Sequence, residues 1–230
     1  MFRVILHLLI ASVAILSAQT RTLTILHTND LHARLLPDEK KIGGFAYVAG
    51  ALNEARRNCL DCLTLDAGDL VQGSPISTIY QGVPIYEVAN SLGIHASTLG
   101  NHEFDYGWRK IKQFEKTARF PILNTNVVDQ QNRPLAKRQT LVRKINGLRI
   151  GLAGVLMGDL EKLATPTRLG PYRSLDPVTA LRPYVEKLAR QTDLVIVLAH
   201  SSPKEAERIL TELPQVHIVI NGHDHSGQKE

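Results

Sequence analysis

Residue types that bind divalent metals follow five separate apolar runs in this 230-residue chain. The last run, VHIVI, leads directly into NGHDH at residues 221–225, where two histidines flank one aspartate. Comparable endings occur in the segments ILHTNDLH, LTLDAGD, ASTLGNHE and LVIVLAH. The five ends deliver carboxylates, amides and imidazoles, among them Asp30, His32, Asp69, Asn101, His102, Glu103, His200, His223 and His225.

This set of side chains predicts a metal site. Carboxylate oxygen, amide oxygen and neutral imidazole, in the absence of thiolate, suit zinc, manganese, iron or cobalt. One ion takes about four to six ligands, so the set is too large for a single ion. Two ions that share a bridging carboxylate would use the set fully. We therefore predict two divalent metal ions, whose identity the residue types leave open.

The elements that must position these side chains alternate between strands and helices. Apolar and β-branched runs predict strands at 22–28, 62–68, 96–100, 120–127, 193–200 and 216–222, and a hairpin at 139–155. Helical spacing of apolar residues predicts helices at 43–58, 85–93, 106–118, 177–191 and 202–213. This alternation indicates an α/β protein, and the hairpin around Asn146 and Gly147 makes the sheets mixed. In open α/β sheets ligands gather at the carboxyl ends of strands, where the candidate residues stand.

The motif series DxH…GD…GNHE…H…GHxH resembles that of the calcineurin-like metallophosphoesterases. The longer segments ILHTNDLHA, LDAGDLVQGSP and STLGNHEFDYGW resemble the exported 5'-nucleotidase branch of that superfamily, and the resemblance covers roughly residues 22–227. It implies an α/β/β/α sandwich with mixed sheets. It also implies a dinuclear-metal-dependent phosphohydrolase that releases phosphate from nucleotides by means of a metal-activated hydroxide.

The resemblance implies a role for each matched residue. Asp30, His32 and His225 would bind one metal, and Asp69 would bridge the two. The second metal would be held by three further residues, Asn101, His200 and His223. His102 would remain off the metals and, with Asn101, contact the substrate, while Asp105 would orient and charge-stabilise His102 as the catalytic dyad. Asn29 and Asn126 are further candidates for shaping the site, and Glu103 for supporting it.

The two ends of the chain carry further expectations. Residues 1–18, MFRVILHLLIASVAILSA, have the pattern of a secretory signal peptide, which predicts a periplasmic or secreted protein without a membrane span after cleavage. Residues 19–230 would then form the catalytic domain. The resembling nucleotidases continue past GHxH into a C-terminal nucleotide-binding domain. We therefore expect a domain that is truncated at its C-terminal end and lacks that second domain.

The composition of the chain limits the classes of molecule that it is expected to bind. The formal net charge is +5 with 5% aromatic residues, and no basic stripe with stacking residues is present, so a nucleic-acid polymer is not expected. A small phosphate ester, in particular a nucleotide, is the expected partner. The only cysteines, Cys59 and Cys62, are predicted to have a structural role, as free thiols or as a small disulfide.

Several alternatives remain open. Within the same chemistry, the chain could be a 2',3'-cyclic-nucleotide phosphodiesterase, a UDP-sugar hydrolase or a thiosulfohydrolase. From another class, it could be an inactive fragment that binds metal without turnover. Among the remaining histidines, His27 is expected to pack or to support the site, and His95 and His217 to be structural or exposed.

Overall fold

Strands and helices alternate along residues 21–59 and 61–225, the part of the chain that the computed structural model describes. The strands are β1 (Thr24–Thr28), β2 (Cys62–Asp66), β3 (Ala96–Thr98), β4 (Ile122–Leu123), β5 (Val127–Val128), β6 (Thr140–Ile145), β7 (Leu148–Leu156), β8 (Arg173–Ser174), β9 (Leu194–His200) and β10 (Ile218–Gly222). The α-helices are α1 (Phe45–Arg57), α2 (Pro75–Ile79), α3 (Val83–Ala89), α4 (Trp108–Thr117), α5 (Pro166–Leu169), α6 (Pro177–Ala189) and α7 (Pro203–Glu212). The signal peptide predicted at residues 1–18 lies outside the described residues.

The strands form two four-stranded sheets and one short pair. The first sheet has the order β1-β2-β3-β4 and is entirely parallel. The second has the order β10-β9-β7-β6, in which only the β6–β7 hairpin is antiparallel. The hairpin turns at Asn146 and Gly147, whose φ angles of 48° and 74° are the left-handed values that a tight two-residue turn requires. β5 and β8 form the remaining antiparallel pair.

Three buried clusters divide the molecule into four layers. Apolar side chains of the two sheets meet in the middle, among them Leu63, Leu65 and Ala96 from the first sheet and Ile150, Leu152, Ile196 and Leu198 from the second. Helices α1, α3 and α4 cover the outer face of the first sheet, and α6 and α7 cover that of the second. The predicted α/β/β/α sandwich is confirmed, and the mixing of strand directions is confined to the second sheet.

The strand predicted at 120–127 is wrong in its middle. The chain forms the two-residue strand β4, leaves the first sheet, and forms β5 in the separate β5–β8 pair. The break lies at Asn124, whose side-chain oxygen accepts hydrogen bonds from the backbone N–H groups of Asn126 and Val127, at 3.2 and 2.8 Å. Asparagine side chains compete with sheet ladders in this way, so the turn replaces a continuous strand.

Smaller features are settled by the structure as well. Helix α7 begins with a capping box between Ser202 and Glu205, which satisfies backbone N–H groups at the helix start. Cys59 and Cys62 are joined as a disulfide, one of the two structural roles predicted for them. Within the described residues, no helix is both long enough and apolar enough to cross a membrane.

Candidate metal centre and histidine dyad

The ends of five strands converge on one site. Strands β1, β2 and β3 deliver the first three motif loops, and β9 and β10 deliver the last two from the second sheet. Backbone hydrogen bonds join the loops: the N–H of Asp30 donates to Gly68 O and the N–H of His32 donates to Asp69 O, both at 3.0 Å. The N–H of His223 donates to the carboxylate of Asp30, at 3.0 Å to one oxygen, which ties the two sheets together.

Most of the candidate ligands share an unusual backbone conformation. Non-glycine residues with positive φ are uncommon and cluster at functional sites, because each costs about 1–3 kcal/mol. In this structure five of the predicted ligands adopt it, with φ angles of 52°, 45°, 56°, 88° and 51° at Asp30, His32, Asp69, His223 and His225. The hydrogen bonds between the loops hold the chain in this conformation. The strain therefore points to a site whose side-chain directions matter more than local stability.

One half of the site gathers around Asp30. The Nε2 atoms of His32 and His225 lie 3.0 Å apart, and the Nε2 atom of His225 is 3.3 Å from Asp30 Oδ1. Asn29 donates a hydrogen bond of 2.6 Å to the other oxygen of Asp30. Burial lowers the pKa of His32. A neutral imidazole is the form that binds a metal ion.

The other half gathers around His200, which is fully buried. Its Nδ1 atom donates to the backbone oxygen of Ala67 at 2.8 Å, so its Nε2 atom faces inward. That Nε2 atom lies 3.2 Å from Asp69 Oδ2 and 3.1 Å from Asn101 Oδ1. Asn101 Oδ1 is also 3.0 Å from His223 Nδ1. Burial lowers the pKa of His223, and the neighbouring His200 lowers it further.

The donor set fits a cation. With Nδ1 of His200 engaged by Ala67, a neutral His200 presents a lone pair to two oxygen atoms that also carry lone pairs. Either a proton on Nε2 or a cation between these atoms must relieve the repulsion. Burial opposes the proton, yet the hydrogen bond and negative charge of Asp69 outweigh it and raise the pKa of His200 to about 9. A metal ion would take the place of that proton.

Asp69 links the two halves. Its carboxylate belongs to a group with His32 and His102 and to a second group with His200 and His223, and in each group the ligand atoms lie within 4.8 Å of one another. Asp30, His32 and His225 form a third such group. The backbone N–H of His102 donates to Asp69 Oδ1 at 2.9 Å, which fixes the carboxylate. The arrangement offers two adjacent sets of ligands with Asp69 between them.

His102 and Asp105 form a separate pair beside the ligands. Both are in or next to the 3₁₀ turn His102–Phe104, and His102 Nδ1 lies 2.7 Å from Asp105 Oδ2. The hydrogen bond to Asp105 raises the pKa of His102 against the opposing effect of burial. The His102 and His32 rings meet edge to face, with centroids 5.1 Å apart. His102 is thus held at the edge of the site with a bias towards its protonated form.

Glu103 supports the site from below and is completely buried. Its two carboxylate oxygens accept hydrogen bonds from the backbone N–H groups of Asp69, Leu70 and Gly100, at 3.0, 3.0 and 2.6 Å. Burial, and then the negative charge of Asp69, raise the pKa of Glu103 to about 7. The sequence indicated a supporting role for Glu103. The structure shows that Glu103 holds the backbone at Asp69 and Leu70.

The nine residues to which the resemblance assigns a role are brought to this region. The structure gathers Asp30, His32, Asp69, Asn101, His102, Asp105, His200, His223 and His225, although the assignment of each to one ion or to substrate stays a prediction. Asn126, a candidate for shaping the site, is buried and bridges the backbones of Leu156 and Leu175, and within the described residues it makes no hydrogen bond to a candidate ligand. His27 is exposed on β1, so the expectation that it packs or supports the site is wrong. His95 and His217 have structural roles, each accepting a backbone N–H.

Two cavities could receive a small molecule. One of about 220 Å³ adjoins the candidate ligands and is lined by Asp30, Leu31, His32, Arg34, Gly43, Gly44, Phe45, Val48 and His225. A larger one of about 370 Å³ lies beside the disulfide at the start of β2 and contains none of the candidate ligands. The chemistry of the lining residues, and not the volume, makes the smaller cavity the more relevant one.

Comparisons with known proteins agree with the motif series. Residues 23–227 match the sequence profile of a family described as calcineurin-like phosphoesterase. The chain is 34% identical to a 5'-nucleotidase of Bos taurus, and the match covers 91% of this chain and 39% of that protein. The resemblance to 5'-nucleotidases is thereby confirmed over most of the chain.

Solved structures give the same result. The fold is similar to a 5'-nucleotidase precursor from Thermus thermophilus, with 30% identity, a TM-score of 0.80, and coverage of 90% of this chain and 43% of that chain. It is also similar to the NAD nucleotidase of Haemophilus influenzae, with 26% identity, a TM-score of 0.78, and coverage of 88% and 38%. The chain therefore spans about two fifths of the length of these relatives.

Proposed function

The chain belongs to the calcineurin-like phosphoesterase family, and on that premise we propose that it is a dinuclear-metal-dependent phosphoric ester hydrolase acting on nucleotides. The observation that carries the proposal is the position of Asp69 between two sets of metal-binding side chains. Its Oδ2 atom lies 3.2 Å from His200 Nε2 on one side and 3.9 Å from His32 Nε2 on the other. A carboxylate in that position suits two ions better than one.

We assign the ligands as the motif series implies. One ion would be held by Asp30, His32 and His225, and the second by Asn101, His200 and His223, with Asp69 shared. Two divalent ions bound there would supply Lewis-acid stabilisation of the phosphoryl charge and a water of lowered pKa as the nucleophile. Zinc, manganese, iron and cobalt all accept this ligand set.

The remaining roles in the proposed reaction belong to side chains of the protein. Asp105 accepts a hydrogen bond from Nδ1–H of His102, so a protonated ring carries its second proton on Nε2. His102 is then placed to stabilise charge on the phosphoryl oxygens or to protonate the leaving alkoxide. The raised pKa of His102 supports this role, since it keeps the ring protonated to higher pH. Asn101 and His102 are the residues we expect to contact the substrate.

The substrate class and the location rest on separate arguments. Relatives named as 5'-nucleotidase and NAD nucleotidase favour nucleotides as substrates. Because those relatives are much longer, the same site in this chain could instead serve a cyclic-nucleotide phosphodiesterase, a UDP-sugar hydrolase or a thiosulfohydrolase. Export to the periplasm or beyond rests on the signal-like pattern of residues 1–18 alone.

The test is phosphate release by the purified chain. AMP and p-nitrophenyl phosphate would be supplied with manganese or zinc, and in parallel with a chelator. We expect metal-dependent release from both, and a fall of about 10²–10⁴-fold in kcat for AMP in His102→Ala with metal content unchanged. His27→Ala, which removes an exposed histidine of β1, is the matched control. Bound metal without any phosphate release would identify an inactive metal-binding domain and refute the proposal.

A further inference from the structure

A guanidinium group contacts the histidine–aspartate pair from outside the metal centre. Arg168 Nη1 donates a hydrogen bond of 2.9 Å to Asp105 Oδ1, while Asp105 Oδ2 is 2.7 Å from His102 Nδ1. The two oxygens of Asp105 are therefore divided between two partners. The result is a continuous chain from Arg168 through Asp105 to His102, in which one end faces solvent and the other faces the candidate ligands.

The backbone around Arg168 is docked firmly against the start of α4. Arg168 lies in the single-turn helix α5, and Gly170 follows with φ of 60°. A Cβ atom on Gly170 would collide with the indole of Trp108, the first residue of α4, and the Trp108 ring also packs against Tyr172 at 5.2 Å between centroids. Because Asp105 stands three residues before Trp108, the contact fixes the distance between Arg168 and the pair.

The ion pair between Arg168 and Asp105 contributes little to the overall stability of the fold. Its side chain is 45% exposed, and ion pairs with that exposure contribute little to the free energy of unfolding. Asp105 is less exposed, at 21%, and sits at the end of a short 3₁₀ turn, where its two oxygens contact His102 and Arg168. A planar guanidinium group imposes direction on a carboxylate, which a single imidazole contact does not.

We propose that Arg168 is a positioning residue that fixes the Asp105 carboxylate and, through it, the ring orientation and Nδ1 tautomer of His102. Arg168 itself touches neither metal ligands nor the reacting atoms in this role. The inference rests on the proposed function for its catalytic consequence, while its structural part stands on the three side chains alone. It predicts that Arg168 matters only for the step in which His102 gives up its Nε2 proton.

The first measurement needs no activity. In protein labelled with ¹⁵N-histidine, the Nδ1–H proton of His102 is identified by its loss in His102→Gln, and its exchange with water is measured. We expect exchange to be about tenfold faster in Arg168→Met, and partly restored in Arg168→Lys. Arg208→Met is the matched control, because Arg208 makes an ion pair of the same length with Asp176 at 39% exposure. Unchanged exchange in Arg168→Met would overturn the proposal.

The second measurement uses the leaving group. Nitrophenolate departs as a stable anion, whereas the nucleoside of AMP needs a proton. We expect Arg168→Met to lower kcat for AMP by about tenfold, a part of the 10²–10⁴-fold available from acid catalysis, with little change in KM. The kcat for p-nitrophenyl phosphate should change by less than about threefold. In an Asp105→Asn background the further loss should vanish.

The outcomes separate this inference from the proposed function. Losses that add to those of Asp105→Asn would assign Arg168 to the fold and refute a positioning role, and equal losses with both substrates would refute its coupling to the Nε2 proton of His102. If the unaltered chain releases no phosphate from either substrate, the proposed function fails, and the ring-proton exchange still decides whether Arg168 holds the pair.

Discussion

Asp69 Oδ2 lies 3.2 Å from His200 Nε2, and both side chains are almost completely buried at the junction of the two sheets. A buried carboxylate needs a partner, because leaving its charge unpaired costs several kcal/mol. Here the partner is a histidine whose other nitrogen is already committed to Ala67. The two side chains therefore form an ion pair in the metal-free protein, and in the proposed metal centre both would be ligands.

Replacing Asp69 should weaken metal binding and turnover. In Asp69→Asn the shared carboxylate becomes a neutral amide, so we expect less metal per chain and a kcat/KM for AMP at least about 100-fold lower. Metal content would be measured by atomic emission spectroscopy and turnover by phosphate release. Asp193→Asn, which removes an exposed partner of Arg149, is the control and should retain both. Wild-type metal content and turnover in Asp69→Asn would contradict the shared-ligand assignment.

The stability of the metal-free protein should depend on the same pair of side chains, Asp69 and His200. The folded pKa of His200, about 9, lies above its ordinary value of 6.5, so this stabilisation is complete below about pH 6.5 and is lost as pH rises through 9. Burial opposes ionisation of Asp69, but His200 outweighs it and lowers the folded pKa, so this contribution is lost only in acid, below the ordinary value of 3.8. We expect the pair to stabilise most between about pH 4 and 6.5.

Urea unfolding in a chelator, at pH 6 and at pH 9, checks this expectation. The free energy of unfolding should fall between pH 6 and pH 9, and this fall should be smaller in His200→Gln and unchanged in His27→Ala. Replacing the chelator with manganese or zinc should remove this pH dependence, because the cation replaces the proton and binds the neutral ring. An identical pH dependence in His200→Gln would show that other groups are responsible.

Most of the strands, and the gathering of the candidate ligands at one place, could be predicted from the sequence for a physical reason. Continuous apolar runs such as residues 194–199 are buried on both faces, and the polar residues that end them are not buried without a purpose. The break at Asn124 does carry a signal in the sequence, because the polar residues 124–126 (NTN) are typical of a turn, and the apolar residues on either side outweighed it in the strand prediction. Arg168 was missed because its contact with Asp105 spans 63 residues and depends on α5, a helix of one turn.

Glu103 should be required to hold the backbone around Asp69 in place. In the unaltered chain, the backbone N–H groups of Asp69, Leu70 and Gly100 donate to the two oxygens of Glu103. Glutamine retains one of these oxygens but replaces the other with an NH₂ group, which cannot accept a hydrogen bond. A buried donor left unsatisfied costs roughly 1–3 kcal/mol, so we expect Glu103→Gln to lower the free energy of unfolding by at least that amount. Denaturant unfolding measures the loss, and metal affinity should fall with it.

The control for Glu103 is Glu115→Gln. Glu115 also accepts a backbone N–H, from Lys137 at 2.6 Å, but this bond lies at the exposed surface. Water can replace the lost partner there, so we expect a change within about 0.5 kcal/mol. Similar losses in the two variants would mean that burial of the Glu103 carboxylate is not what makes it important.

Gly100 should tolerate no side chain, although its φ angle is not left-handed. A Cβ atom there would collide with the carboxylate and the backbone nitrogen of Asp69, because the β2 and β3 loops pass each other at this point. Gly100→Ala should lower the free energy of unfolding by about 1–3 kcal/mol, the usual cost of overpacking. It should also weaken metal binding, because Asp69 must move. Urea unfolding and metal titration measure the two effects.

The control for Gly100 is a glycine with free space around it. Gly50, in α1, has nothing within 4 Å of the position that a Cβ atom would take. Alanine at Gly50 should raise the free energy of unfolding by up to about 1 kcal/mol, since glycine is a poor helix residue, and should leave metal binding unchanged. If Gly100→Ala binds metal as tightly as the unaltered chain, the close approach of the two loops does not set the position of Asp69.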